Sequence, residues 1–201
     1  MNKYIPLALI ACASCAQPGE FYNVAIDPSF TTDEQQSVIS ALHDWETKTK
    51  HILYFNYYTS NCSGVHNKFI CIHKATIEQL DSAFNKYDPK DQSEDKDILG
   101  FTHIKKGLGE PGMSGGIDGI DGGEIWISVD KIADCTFKCA DPLRAVAAHE
   151  VGHAMGLAHI KNVQCIMYPV IFATDEVSFS CDVNQWAEIR DVAPDQIGEL
   201  Y

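Results

Sequence analysis

Two hydrophobic periods alternate along this chain. Phe21-Tyr22-Asn23-Val24-Ala25-Ile26 reads as a first strand, closed by a turn at Asp27-Pro28-Ser29. A helix is then expected from about Thr32, with the Thr32 hydroxyl as cap and Gln35 at the capping-box position. Val38, Leu42 and Trp45 recur at helical spacing and give that helix a buried face, with Trp45 as a core residue. Residues 52–58 and 69–72 are β-rich runs separated by a polar loop. The acidic, lysine-dotted stretch 88–97 has no apolar period and reads as solvated loop, and 98–104 follows as a candidate edge strand. Residues 107–123 are glycine-rich loop; 124–129 form another strand with Ile125, Ile127 and Val129 on one face. Asp141 is a good N-cap and Pro142 fits the first position of the helix that follows. Val183, Trp186 and Ile189 suggest a last helix. Five strands and at least three helices describe an α+β domain.

Length and composition narrow this. A chain of 201 residues with 45% hydrophobic and 21% charged residues has enough apolar surface for one buried core and too little for two comfortable ones. Its net charge of −13 works against binding to phosphate backbones, so nucleic acid is excluded as a partner class; a monomer is expected. The N-terminus places one lysine before a short apolar run, Tyr4 to Cys12, which has the form of an export leader and is too short to span a bilayer. Leu9-Ile10-Ala11-Cys12 also resembles a lipobox, making Cys12 the candidate for lipid attachment, with an ordinary cleaved leader as the alternative. Residues 1–20 are thus assigned to leader and tether and 21–201 to the domain, and the protein is expected to be exported, as an envelope lipoprotein or secreted.

Outside the cytoplasm the six remaining cysteines are free to oxidise. Proximity favours Cys62 with Cys71, Cys135 with Cys139 and Cys165 with Cys181, among the 15 connectivities six cysteines allow. Asp118, Asp121 and Glu124 are oxygen donors in or beside the glycine-rich loop and are candidate calcium ligands, although the loop lacks EF-hand spacing; solvated acidic residues are the alternative. His66, His73 and His103 do not have the spacing of a second metal site and read as ordinary histidines, as do His43 and His51.

The chemistry is concentrated in residues 149–159, which match HExxHxxGxxH at every fixed position. On a helix His149 and His153 lie one turn apart on one face, so two neutral imidazoles can meet at one cation. Glu150 lies beside them, placed to take a proton from a water that the metal activates. Gly156 lacks a Cβ and can leave right-handed geometry, turning the chain so that His159 completes the set. Three protein ligands leave a fourth position open, as expected of a catalytic zinc.

This motif, together with Cys165-Ile166-Met167-Tyr168-Pro169 beyond it, resembles the metzincin zinc endopeptidases, and the Met-Tyr-Pro sequence is most similar to their matrixin branch. The resemblance implies a zincin-like fold: a twisted five-stranded mixed sheet, an active-site helix, a methionine turn and a C-terminal helix. It also implies one zinc held by His149, His153 and His159, Glu150 as general base, and Met167 as an apolar floor beneath the imidazoles. The expected activity is hydrolysis of peptide bonds in a protein or peptide substrate that pairs antiparallel with strand 98–104. A non-catalytic, zinc-containing peptide-binding envelope protein is the alternative. Ile160 and Ile171 stand where matrixins usually have serine and tyrosine, so the family's substrate preference does not carry over.

Overall fold

A computed structural model describes residues 20–62, 68–87, 98–106, 120–134, 141–162, 164–169, 182 and 184. Five strands, β1 (Glu20–Ile26), β2 (Leu53–Thr59), β3 (Phe69–Lys74), β4 (Gly100–Lys106) and β5 (Ile120–Ile127), form one sheet in the order β2-β1-β3-β5-β4. The first three pairings across this order are parallel and only β4 runs antiparallel, so the sheet is mixed and β4 is one of its edges. The α+β class and five-stranded mixed sheet expected from the sequence are present. Among the described residues α1 (Thr32–Lys48), α2 (Ile77–Tyr87), α3 (Val129–Asp134) and α4 (Pro142–Ala154) accompany it. Among the described residues no helix is long and apolar enough to cross a membrane.

Strand alternation sorts the side chains into two layers. Tyr22, Val24, Ile26, Ile70, Ile72, Ile125 and Ile127 are buried with Val38, Leu42 and Trp45 of α1 and with Val146, Ala147 and Val151 of α4. Within α4 all but four of its residues are buried, which makes it a helix of the interior. Trp45 ties the two helices together, its indole Nε1 donating to the Ala148 carbonyl at 2.9 Å, so the tryptophan both fills the core and satisfies its own polar atom. At the other sheet face, Phe84 and Tyr87 of α2 meet Phe101, His103 and Trp126 as an aromatic layer.

Several elements differ from the sequence reading. The cap of α1 is Thr31 and not Thr32: the Thr31 hydroxyl accepts from Glu34 N at 3.3 Å while Glu34 Oε2 accepts from Thr31 N at 2.7 Å. Glu34 has a further reason to sit there, since the Lys74 ammonium lies 2.8 Å from the same carboxylate and holds it below the usual range against the upward push of burial. Gln35 instead donates to the Phe30 carbonyl. Helix α2 has no counterpart among the expected elements, yet Ile77, Leu80 and Phe84 recur at helical spacing and Thr76 with Gln79 make reciprocal capping bonds of 2.9 and 3.2 Å. Strand β5 starts earlier than expected and stops before Val129, because the Ser128 hydroxyl accepts from Lys131 N and turns the chain into α3; Val129 still packs on the core.

The start of β5 also corrects the extent of the glycine-rich loop, since Asp121, Gly122 and Gly123 lie in the strand. Gly122 adopts φ 128° with Phe69 backbone directly where a Cβ would be, so only glycine permits this β3–β5 approach. The Cys62–Cys71 disulfide expected from proximity is present, with an S–S distance of 2.08 Å, and it ties the segment after β2 to β3. Cys165 is also disulfide-bonded, its partner lying outside the described residues, as do Cys135, Cys139 and Cys181. Val183, Trp186 and Ile189 of the expected C-terminal helix fall outside them too, while Asp182 and Asn184 beside Val183 are helical.

Packing of α4 against the turn around Met167 generates a test. A Cβ at Gly152 would collide with the Met167 sulfur and come within 3.3 Å of Trp45 Cζ2. An exposed helical Gly→Ala change gains about 1 kcal/mol of propensity, but overpacking a closed core costs about 1–3 kcal/mol. Gly152→Ala is therefore expected to destabilise the protein by about 1–2 kcal/mol, read as a lower urea midpoint; an unchanged or higher midpoint would show that the contact yields freely.

Candidate active site

Asp141 starts the site. Its side chain accepts from Arg144 N at 3.0 Å, Pro142 occupies the first helical turn, and the helix so begun delivers His149 and His153 one turn apart. Met155 closes α4 and Gly156 follows at φ 95°, the left-handed conformation expected of it. Beyond that turn His159 swings back. The Nε2 atoms of His149 and His153 are 3.1 Å apart, as are those of His153 and His159.

Hydrogen bonds on the far side of two rings decide what these contacts are. His149 Nδ1 faces the Ile166 carbonyl at 2.7 Å and His153 Nδ1 faces the Leu157 carbonyl at 2.8 Å. A carbonyl accepts only, so both rings carry their proton on Nδ1 and present a bare lone pair at Nε2. The His149–His153 contact is therefore two lone pairs aimed at one point, which is stable only with a cation there. Ligands at the ~2.05 Å typical of zinc–imidazole bonds, set at tetrahedral angles, lie about 3.3 Å apart. The donor set thus fits a zinc ion, and the backbone carbonyls supply the outer support such ligands ordinarily have.

Burial keeps the set unprotonated. Desolvation first, then the neighbouring His153, hold the His149 imidazole down to about 3, against the pull of the Ile166 carbonyl. Burial also lowers His153 and His159, and the neighbouring His153 adds to the effect at His159. Glu150 behaves oppositely: burial pushes its carboxyl up to about 7, although the Thr102 hydroxyl, 2.5 Å from Oε2, favours the charged form. A carboxyl balanced near neutrality beside a metal-ligand set has the acid–base character of a general base.

Met167 is fully buried in the core cluster, with its sulfur against Gly152, one residue before His153. Asp182 escaped the sequence reading. It is wholly buried and accepts from Ile166 N at 2.9 Å and Met167 N at 3.1 Å, so one carboxylate holds the backbone whose Ile166 carbonyl orients His149. Burial raises its pKa and these N–H donors oppose that. No spacing rule linked Asp182 to the motif. Gly152 was also passed over, although a glycine inside a helix is itself a signal of close packing.

Asp118 lies outside the described residues, and Asp121 and Glu124 belong to β5, where Glu124 is in register between Cys71 of β3 and His103 of β4. His73 stacks on Trp126 and His103 on Tyr87, and His66 lies outside the described residues. Cys62, Cys71 and His73 lie close enough to hold a metal, but the two sulfurs are already joined to each other. His43 sits 2.8 Å from Glu46 and His51 stacks on Tyr54.

One expectation follows for the metal-free protein. At pH 6 Glu150 with a pKa of about 7 holds most of one proton, while His149 holds none. Zinc beside Glu150 favours its charged form, so binding at pH 6 should release close to one proton. Calorimetric titration with zinc in buffers of different ionisation enthalpy should show that release, and Glu150→Gln should remove most of it. Equal release from the variant would assign the proton to the histidines.

Comparison with known proteins agrees with this geometry. The matrixin family pattern matches residues 21–192. The chain is also 37% identical over 51 residues to Metalloendoproteinase 1 of Glycine max, covering 25% of this chain and 17% of that protein. It is 38% identical over 61 residues to the interstitial collagenase of Equus caballus, covering 30% of this chain and 13% of the collagenase. The matches to these relatives are thus confined to less than a fifth of each one's length, whereas the family pattern takes in all five strands, both long helices and the three histidines, and on that ground the chain belongs to the matrixin family of zinc-dependent peptidases.

Proposed function

We propose that the protein is an exported zinc-dependent endopeptidase that hydrolyses peptide bonds in proteins. The observation that carries this reading is the convergence of three imidazole Nε2 atoms, with the tautomers of His149 and His153 set by backbone carbonyls, beside a buried carboxyl poised near pH 7. Zinc, when bound, supplies Lewis acidity: it lowers the pKa of water and polarises the scissile carbonyl. His149, His153 and His159 hold it and leave one side open, His159 being exposed to solvent. Glu150 accepts the proton of the attacking water and returns it to the departing amine, a task suited to a carboxyl whose two protonation states lie close in energy at neutral pH.

The substrate is held by β4 in this reading. That strand pairs only with β5 among the described strands, and its outer edge is available for an extended peptide running antiparallel to it. Main-chain hydrogen bonds of that kind give affinity with little sequence preference. Export rests on the leader-like residues 1–12 and is in keeping with the Cys62–Cys71 disulfide, a bond that persists in oxidising compartments. Cys12 is the proposed lipid attachment point, and the protein acts as a monomer. Calcium, proposed at Asp118, Asp121 and Glu124, has only the acidic composition of that segment behind it.

Glu150→Gln is expected to bind zinc and to lose peptide hydrolysis by about 10²–10⁴-fold, whereas His153→Ala should lose both metal and turnover. Hydrolysis of an unstructured protein should stop with a chelator and return with added zinc; a Glu150→Gln protein as fast as its parent would sink the mechanism. In a bacterial host the protein should incorporate labelled fatty acid and fractionate with membranes, and Cys12→Ser should abolish both. Unchanged labelling in that variant would remove Cys12 as the anchor.

A further inference from the structure

Edge strand β4 does more than border the open side of the site. Alternation points Phe101 and His103 at α2, and it points Gly100 and Thr102 the other way, at α4. The Thr102 hydroxyl oxygen lies 2.5 Å from Glu150 Oε2 and 3.0 Å from the Glu150 carbonyl, across 48 residues of sequence. At Gly100 a Cβ would stand 2.8 Å from both Glu150 Cγ and Oε1. The carboxyl of Glu150 is therefore enclosed by this one strand on two sides, with clearance at Gly100 and a hydrogen bond at Thr102. The depth of Thr102 is set in turn by its cross-strand partner Ile125, whose side chain is fully buried, and the strand's entry is held by Ser128 N donating to the Leu99 carbonyl at 3.0 Å.

We infer that Thr102 is a positioning residue for Glu150, its hydroxyl fixing the carboxylate from the same strand on which an extended peptide docks. This deepens the endopeptidase reading and rests on it for its kinetic consequence, while the placement itself is a property of the protein with or without substrate. A hydroxyl has one proton to donate, and a charge-assisted bond to a carboxylate is stronger than one to a neutral carbonyl, so the ionised Glu150 takes it. Without that bond the carboxylate keeps its burial and loses the Thr102 donor, and it turns to another rotamer to find a new one. Because β4 carries both the docking edge and this hydroxyl, the distance between a bound scissile bond and the base is set within a single rigid strand.

Thr102→Val keeps the shape of the side chain and removes the hydroxyl. It is expected to bind one zinc and melt close to the parent temperature, with kcat lowered about 10- to 100-fold and KM within about twofold. Thr102→Ser should restore most of kcat. A crystal structure of the metal-free Val variant should show the Glu150 carboxyl in a different rotamer, a readout independent of turnover. Parental kcat in the Val variant, a loss that follows KM, zinc content or melting temperature, or no rescue by serine would overturn the inference, as would a Glu150 carboxyl that stays in place. If the parent protein itself fails to cut peptides, the endopeptidase reading falls, and the rotamer comparison still decides whether Thr102 positions Glu150.

Discussion

Two backbone carbonyls, those of Ile166 and Leu157, govern the centre of this molecule. By accepting from Nδ1 of His149 and His153 they leave Nε2 bare on both rings and aim the lone pairs at each other across 3.1 Å. That arrangement is repulsive without a cation, so the protein must hold it by other means. Leu157 follows the left-handed Gly156, and Ile166 sits in the turn that the Asp182 carboxylate grips through two N–H bonds. Met167, in the same turn, closes against Gly152 on the helix that carries both histidines. Each support costs something by itself, a glycine inside a helix or a carboxylate taken out of water. Together they over-determine one geometry, which is how unfavourable local features persist at a functional centre.

The sheet divides its labour by strand alternation. Inward residues of β1, β3 and β5 supply the apolar bed on which α1 and α4 rest, and Trp45 bonds directly to the carbonyl of Ala148, next to the first ligand. The edge strand is different on its two faces. Phe101 and His103 join the aromatic layer under α2, whereas Gly100 and Thr102 reach Glu150. Helix α2 therefore stabilises, from behind, the strand that the active-site carboxyl leans on in front. The aromatic packing stiffens that strand from behind.

Legibility from the sequence followed how local the cause was. Asp141 with Pro142, the spacing of the three histidines, and Gly156 were readable because each acts within one or two helical turns. The core positions Val38, Leu42 and Trp45 were readable for the same reason. Thr31 was mistaken for its neighbour Thr32 because both precede an acceptor at the right interval, and the choice was made by Lys74, forty residues away, which draws Glu34 into place. The start of β5 was read as loop because glycine and aspartate are poor strand formers; pairing with both β3 and β4 overrides that preference. Asp182 carries no local signal at all.

The sequence alone determined the three-histidine set, the carboxyl beside it, the helix that presents them, and the family-like turn at Met167, since these depend on spacing within short segments. Tertiary structure decided which nitrogen of each ring faces the metal position, how far burial moves Glu150 and His149, and that Thr102, Gly100 and Asp182 belong to the site. Those are matters of desolvation and of contacts between distant segments, and neither quantity exists until the chain has closed around them.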